Sequence, residues 1–370
     1  MSEGFSTVVG AVLVMLILTV IYTSYQVYGV PAYCKNYENS QFAKLESDIL
    51  KLVSEEKDLV TTGEAKTVCL HLGGVYPPIP FFSTPNGFSG SVVTYPAYVE
   101  IDNVNVTSVT SLGLPNPYGV VNPTLKISGS NLAVISQYNY LKVPTIRVEY
   151  GVVAVGPIPL NKFITNDTIF IPLFRGNLSL GGDVACTIHL YPVSAGGSGV
   201  IISNYTAGNI TIKILSQLPV SFWRSVVPSW VYVTTQKVNN TTYVVFQLPP
   251  KRYKLIMGMA GLEKSNRLPP DYLYPVSPIS QTSPCGIVVQ ARDVLNNPVP
   301  GVQVTFTSTS ATLSTLSNLT LVSGNTITVT TNEKGYASVT ATSSFTSIVK
   351  AYLSDRSALQ PYEVGFIVSG

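Results

Sequence analysis

Apolar and polar positions divide the chain into three regimes. From Phe5 to Thr23 the run FSTVVGAVLVMLILTVIYT is apolar almost without interruption, and no charged residue occurs between Gly4 and Tyr33. About twenty residues at ~1.5 Å rise cross a hydrocarbon layer of ~30 Å, so this segment predicts a transmembrane helix. Tyr22, Tyr25 and Tyr28 follow it, where an interfacial aromatic belt belongs. A secretory signal peptide is the competing reading, but it predicts a basic start and a small-residue cleavage region. The chain starts MSEG instead.

Between Lys35 and Val60 the period changes. Phe42, Leu45, Ile49, Leu52, Val53, Leu59 and Val60 recur at three- and four-residue steps, which predicts an amphipathic helix with Gly63 as its stop. Pro31 is expected to kink or break the junction with the apolar segment. The two pieces together predict a stalk. Glu38, Glu46, Asp48, Glu55, Glu56 and Asp58 read as its solvated face.

From residue 64 onward the period is two. Short alternating runs at 98–101, 145–150, 210–214 and 231–234 are separated by Gly, Pro and Asn, the signature of antiparallel sandwiches or barrels. Val231–Thr235 and Thr241–Gln247 flank Asn239-Asn240 and predict a hairpin. Residues 265–285, rich in Pro and Ser, mark a domain boundary. Beyond it, alternation at Ile287–Ala291, Val302–Phe306, Ile327–Val329, Ala337–Ala341, Val349–Leu353 and Val364–Val368 predicts a two-sheet sandwich. The fold class is therefore mainly β. A transmembrane and stalk helix (1–33 and 34–63) precedes a β-rich ectodomain of one or two sandwiches (64–275) and a last sandwich (283–370).

Composition narrows the function. Only 11% of the 370 residues are charged and the net charge is +3, with no dense Lys/Arg cluster, so nucleic acid is not an expected partner. Four cysteines, Cys34, Cys69, Cys186 and Cys285, lie in no CxxC pair. Two long-range disulfides would suit an oxidising exterior, and Cys34–Cys69 with Cys186–Cys285 is the preferred pairing because it ties near segments. The other connectivities and four free thiols stay open. Eight Asn-x-Ser/Thr sequons occur, at Asn105, Asn166, Asn177, Asn204, Asn209, Asn239, Asn240 and Asn318. Glycans there would help a charge-poor surface stay soluble. Low charge would also suit a hot or acidic exterior.

Candidate chemistry is sparse. His71 and His189 form no HExxH or close acidic cluster, and no GxSxG elbow, P-loop or dinucleotide fingerprint is present. Asp102-Asn103-Val104-Asn105 and Asp293 with Asn296 and Asn297 offer oxygen ligands for calcium, but turns favour the same residue types. Trp223, Trp230 and Tyr232 could stack on a sugar or fill a core. No cofactor and no catalytic residue is expected.

Ser6 to Leu13 (STVVGAVL) resembles the start of archaeal type IV pilins and archaellins. The resemblance implies a very short leader cut after Gly4, leaving Phe5 as the new N-terminus. It also implies a helix that is first a membrane anchor and then a filament core. The leader here carries Glu3 where a basic residue is usual. The string DVLNNPVPGVQVTF, with TTNEKGYASVTA downstream, resembles the bacterial Ig-like domains of invasin-type adhesins. With LGGVYPP, VEYGVV and YKLIMGM between them, the order is similar to pilin-like surface proteins of archaea. What this implies is a cell-surface structural or adhesive role, as a minor or tip subunit of a type IV pilus-like filament. Its partners would be the membrane, pilin subunits and surface glycans. The alternative is a membrane-tethered module that binds carbohydrate or protein without forming filaments.

Overall fold

The computed structural model describes residues 3–107, 124–204, 206–317, 320–355 and 363–370. Two α-helical segments, α1 (Glu3–Ser24) and α2 (Val30–Thr62), are joined by one π-helical turn at Tyr25–Gly29. The expected break at Pro31 does not occur. Pro31 has no N–H to give, and just before it the Val30 N–H bonds the Tyr25 carbonyl five residues back. This shift of register lets the helix run on past the proline. Gly63, in the left-handed region at φ 78°, ends it by donating its N–H to the Leu59 carbonyl at 2.7 Å.

Nor is α2 a free stalk. Leu45, Ile49, Leu52, Leu59 and Val60 are fully buried in one core with Val68, Leu70, Val134, Leu190 and Ile256 of the β-head. The head is one sixteen-stranded sheet. Its path runs from Lys66–His71 at one edge through Ala185–Ser194, Tyr253–Gly261, Thr168–Arg175, Thr124–Gln137, Ser89–Asp102, Ile210–Leu215 and Thr241–Leu248 to Tyr232–Val238. Pairing is antiparallel except between Tyr253–Gly261 and Thr168–Arg175, which run parallel.

The sheet serves two cores. Along Tyr253–Gly261, Ile256 and Ala260 face the helix, while Leu255, Met257 and Met259 face a second core around Trp223, Phe246 and Phe163. Burial on both faces explains why this segment lacks polar alternation. Gly258 sits where α2 crosses it, and a Cβ there would collide with the Val60 side chain.

The expected hairpin forms: Tyr232–Val238 pairs with Thr241–Leu248 across Asn239 and Asn240, both at positive φ (46° and 65°). Asn tolerates that left-handed conformation, which a two-residue hairpin turn requires. The C-terminal sandwich is two five-stranded sheets closed on Ile287, Val289, Phe306, Val339, Ala351 and Phe366. Two of its strands lie inside the segment read as a boundary. Tyr272–Pro275 pairs with Cys285–Arg292, and Ser280–Thr282 pairs with Glu363–Ser369.

The sandwich is docked on the head. Asn297 donates its side-chain N–H groups to Ser194 Oγ (2.8 Å) and to the Met257 carbonyl (2.9 Å), and Leu295 enters the second head core.

Candidate functional site

The feature that most needs a function is the bare half of the helix. The apolar stretch beginning at Val8 has no buried residue, and Val8, Val12, Met15, Leu16 and Ile21 are each more than half exposed. This helix is long and apolar enough to cross a membrane. Thr19 and Thr23 return their hydroxyls to carbonyls within the helix, Thr19 to Met15 at 2.8 Å, so they present no unpaired polar group sideways. Gly4 and Phe5 lie in the first turns of α1.

Where the bare half ends, a collar begins. Tyr22 and Tyr25 contact Phe82 with ring centroids 5.2 and 4.4 Å apart. The Gln26 side chain donates to the Ser83 carbonyl at 2.8 Å and accepts from the Ser83 N–H at 3.3 Å. One helical turn further, Val30 and Cys34 pack with Tyr76 and Phe88. At the centre of this knot lies Glu38. Its buried carboxylate accepts from the Tyr76 hydroxyl, the Asn139 N–H (2.8 Å) and the Tyr140 N–H (3.1 Å). Burial first, and this hydrogen bond second, push the Tyr76 hydroxyl well above its ordinary range. Beside the knot a surface concavity of about 390 Å³ is lined by Asn86, Ser89, Gln137, Tyr138 and Asn139, with Asp183 as its charged residue.

Glu56, on the same helix, has the opposite surroundings. It is fully buried, and neither carboxylate oxygen has a hydrogen-bond partner. Burial alone pushes its pKa well above the carboxylate range, which favours the neutral acid in the core. Glu38 and Glu56 are therefore not part of the solvated face expected from the sequence. Glu56 follows Leu52 by four residues and precedes Leu59 by three, so it lies on the apolar stripe. That spacing was the available signal.

The expected disulfides do not form: all four thiols are free. Cys34 is held in the collar, and Cys285 lies in the core of the C-terminal sandwich. Cys69 pairs with Thr187 and Leu70 with Cys186, so Cys69 and Cys186 sit on neighbouring strands but point to opposite faces. That register keeps the Cys69 and Cys186 sulfurs apart. Burial raises the pKa of Cys34, Cys186 and Cys285, which favours the thiol over the nucleophilic thiolate.

Of the sequons, Asn166, Asn177, Asn209, Asn239 and Asn240 are exposed and Asn204 is half-buried. Asn105 pairs through its backbone with Ser203, and Asn318 lies outside the described residues.

The other candidates are spent on structure. His71 Nδ1 lies 2.7 Å from Asp48, and His189 Nδ1 lies 3.1 Å from Thr67 Oγ1. Asp102 pairs with Lys213 at 2.8 Å, and Asn103 closes the 206–209 turn. Asp293 accepts from the N–H groups of Leu295 (2.8 Å) and Asn297 (3.0 Å). Among the described residues no group of three His, Cys, Asp or Glu side chains is placed to hold a metal. Trp223 is core, donating to Ser216 Oγ at 2.8 Å. Trp230 and Tyr232 are exposed, with Lys251 Nζ 4.1 Å above the Trp230 ring.

The sequence matches no protein-family model and no curated relative.

Proposed function

We propose that the protein is an extracellular structural or adhesive subunit, held in a membrane by α1 and able to enter a type IV pilus-like filament as a minor or tip component. The observation that carries this reading is the division of one helix. Its second half is bonded into the head, while its first half offers a bare apolar cylinder. Leaving that cylinder in water is costly. Lipid covers it in a membrane, and neighbouring apolar helices cover it in a filament core. Both are non-aqueous surroundings, so one segment serves as anchor first and as packing surface later. The head and sandwich then project outward and make the contacts.

Shearing surface filaments from cells and probing them for this chain tests the filament role. Its recovery with the filaments supports that role, and filaments lacking it at every detection level argue against it. The second reading, a tethered binding module, is favoured by the exposed Trp230 and Tyr232 rings, the first of which carries Lys251 over it. Aromatic faces of this kind stack on sugars. A glycan array blank against the full chain in detergent, with Trp230→Ala indistinguishable from it, removes that reading.

A further inference from the structure

The loop 75–88 contains no charged residue and no histidine, yet it projects from the head onto the helix. Its tip is a tight turn. Phe82 N–H bonds the Ile79 carbonyl at 3.1 Å, with Pro80 and Phe81 between them. Phe81 has φ 69°, the conformation that such turns normally assign to Gly or Asn. The strained position separates two adjacent rings. Phe82 turns inward against Tyr22 and Tyr25, while Phe81 turns outward and is 92% exposed. A phenylalanine so exposed, on a backbone that disfavours it, gains nothing from the fold that carries it.

Its place along the helix says what it meets. Gln26 and Phe82 pin the turn at the level of Tyr22–Gln26. Glu3–Ser24 spans about 33 Å at ~1.5 Å per residue, close to one hydrocarbon thickness. Tyr22, Tyr25 and Tyr28 are exposed along the same stretch of helix. An uncharged, apolar tip beside an aromatic belt has the chemistry of the lipid headgroup–acyl boundary.

We propose that the Pro80–Phe81 turn inserts into the interface of the lipid bilayer beside the helix, as a second membrane contact that fixes the tilt and rotation of the head. This rests on the reading of α1 as a membrane span. With no charge in the loop, the contact is with zwitterionic and anionic lipid alike.

The test uses the full chain reconstituted in phosphatidylcholine vesicles doped with brominated phospholipid. Tryptophan is introduced singly as Phe81→Trp, Met15→Trp or Phe345→Trp, and the emission of the unsubstituted chain is subtracted. Met15 is 71% exposed on the bare helix, and Phe345 is 77% exposed on the C-terminal sandwich. The proposal expects the emission added at position 81 to be mostly lost to brominated lipid and unaffected by aqueous iodide, as at position 15. At position 345 iodide alone quenches. Phe81→Trp behaving like Phe345→Trp, while Met15→Trp is quenched by lipid, overturns the proposal and leaves the anchor standing. Protection of position 81 from both quenchers means another copy covers the turn, and also overturns it. Failure of lipid to quench at position 15 removes the anchor reading itself.

Discussion

Two halves of one helix carry opposite surroundings. The apolar stretch of α1 from Val8 to Ile21 has no buried residue, while in α2 Leu45, Ile49, Leu52 and Leu59 have no exposed surface at all. Hydropathy already separates them, because α1 has no charged residue after Glu3 while α2 carries six acids and four lysines. Spacing says what each half needs. In α1 the apolar residues cover every direction, which suits an environment that is apolar on all sides. In α2 they form a stripe, which suits one apolar neighbour and water opposite. The difference teaches that the fold finishes the second half and leaves the first for something outside the chain.

Substitutions can break that contrast. The largest expected loss is at Leu52→Ala, which empties a fully buried site and costs about 2–5 kcal/mol of head stability. Thermal unfolding in detergent reads it, and membrane recovery of the folded fraction stays unchanged. Val14→Arg does the reverse. A cation at mid-span costs about 2.5–3.5 kcal/mol of insertion, so the membrane-bound fraction falls while the head melts as before. Glu38→Ala strands the Tyr76 hydroxyl and the Asn139 and Tyr140 N–H groups, at a cost of about 2–3 kcal/mol in unfolding. Glu56→Met, near the far end of α2, stabilises by about 1–2 kcal/mol, because it replaces a buried carboxyl with no partner by an apolar side chain of similar size. A loss of stability there would show that Glu56 has a partner in the folded protein.

The smallest effect is the pH dependence. Burial raises the pKa of Glu56, Glu149 and Asp293, the last to about 6. A carboxyl whose pKa is higher folded than unfolded binds its proton more tightly in the folded state. The stability it contributes is fully present below the unfolded pKa and is lost as pH rises through the folded one. For Asp293 that window runs from its ordinary value of 3.8 to about 6. Unfolding should therefore become harder as pH falls from 7 toward 4, and Asp293→Asn should flatten part of the slope. The Asp102–Lys213 pair works the other way, because its carboxyl is held below the usual range. A curve that falls steadily from pH 7 to 4 would show that such pairs outweigh the buried acids. It would also remove the acid-tolerant reading.

Much of this was legible in the sequence. The apolar run, the Gly63 stop, the Asn239-Asn240 hairpin and the alternating strands of the last sandwich all follow from local chemistry. What escaped has physical causes. Pro31 was expected to break the helix because its missing N–H is a local fact, whereas the π-turn that absorbs it belongs to the preceding residues. Residue type points Glu38 and Glu56 to solvent, whereas their place on the apolar stripe buries them. Tyr272–Pro275 looked like linker because a four-residue strand with Pro at its end shows no period. The collar was hidden for a different reason: it joins Gln26 to Ser83 and Glu38 to Asn139, contacts between segments far apart in sequence.

The central claim is that the bare half of the helix stays with the mature protein and is covered from outside. The most direct test is the intact mass and N-terminal peptide of the native protein. The account predicts a chain beginning at Phe5, with the apolar segment present. A start at Met1 would keep the anchor and remove pilin-type processing. A first peptide beginning beyond Tyr28, with the apolar segment cut away, would contradict the account.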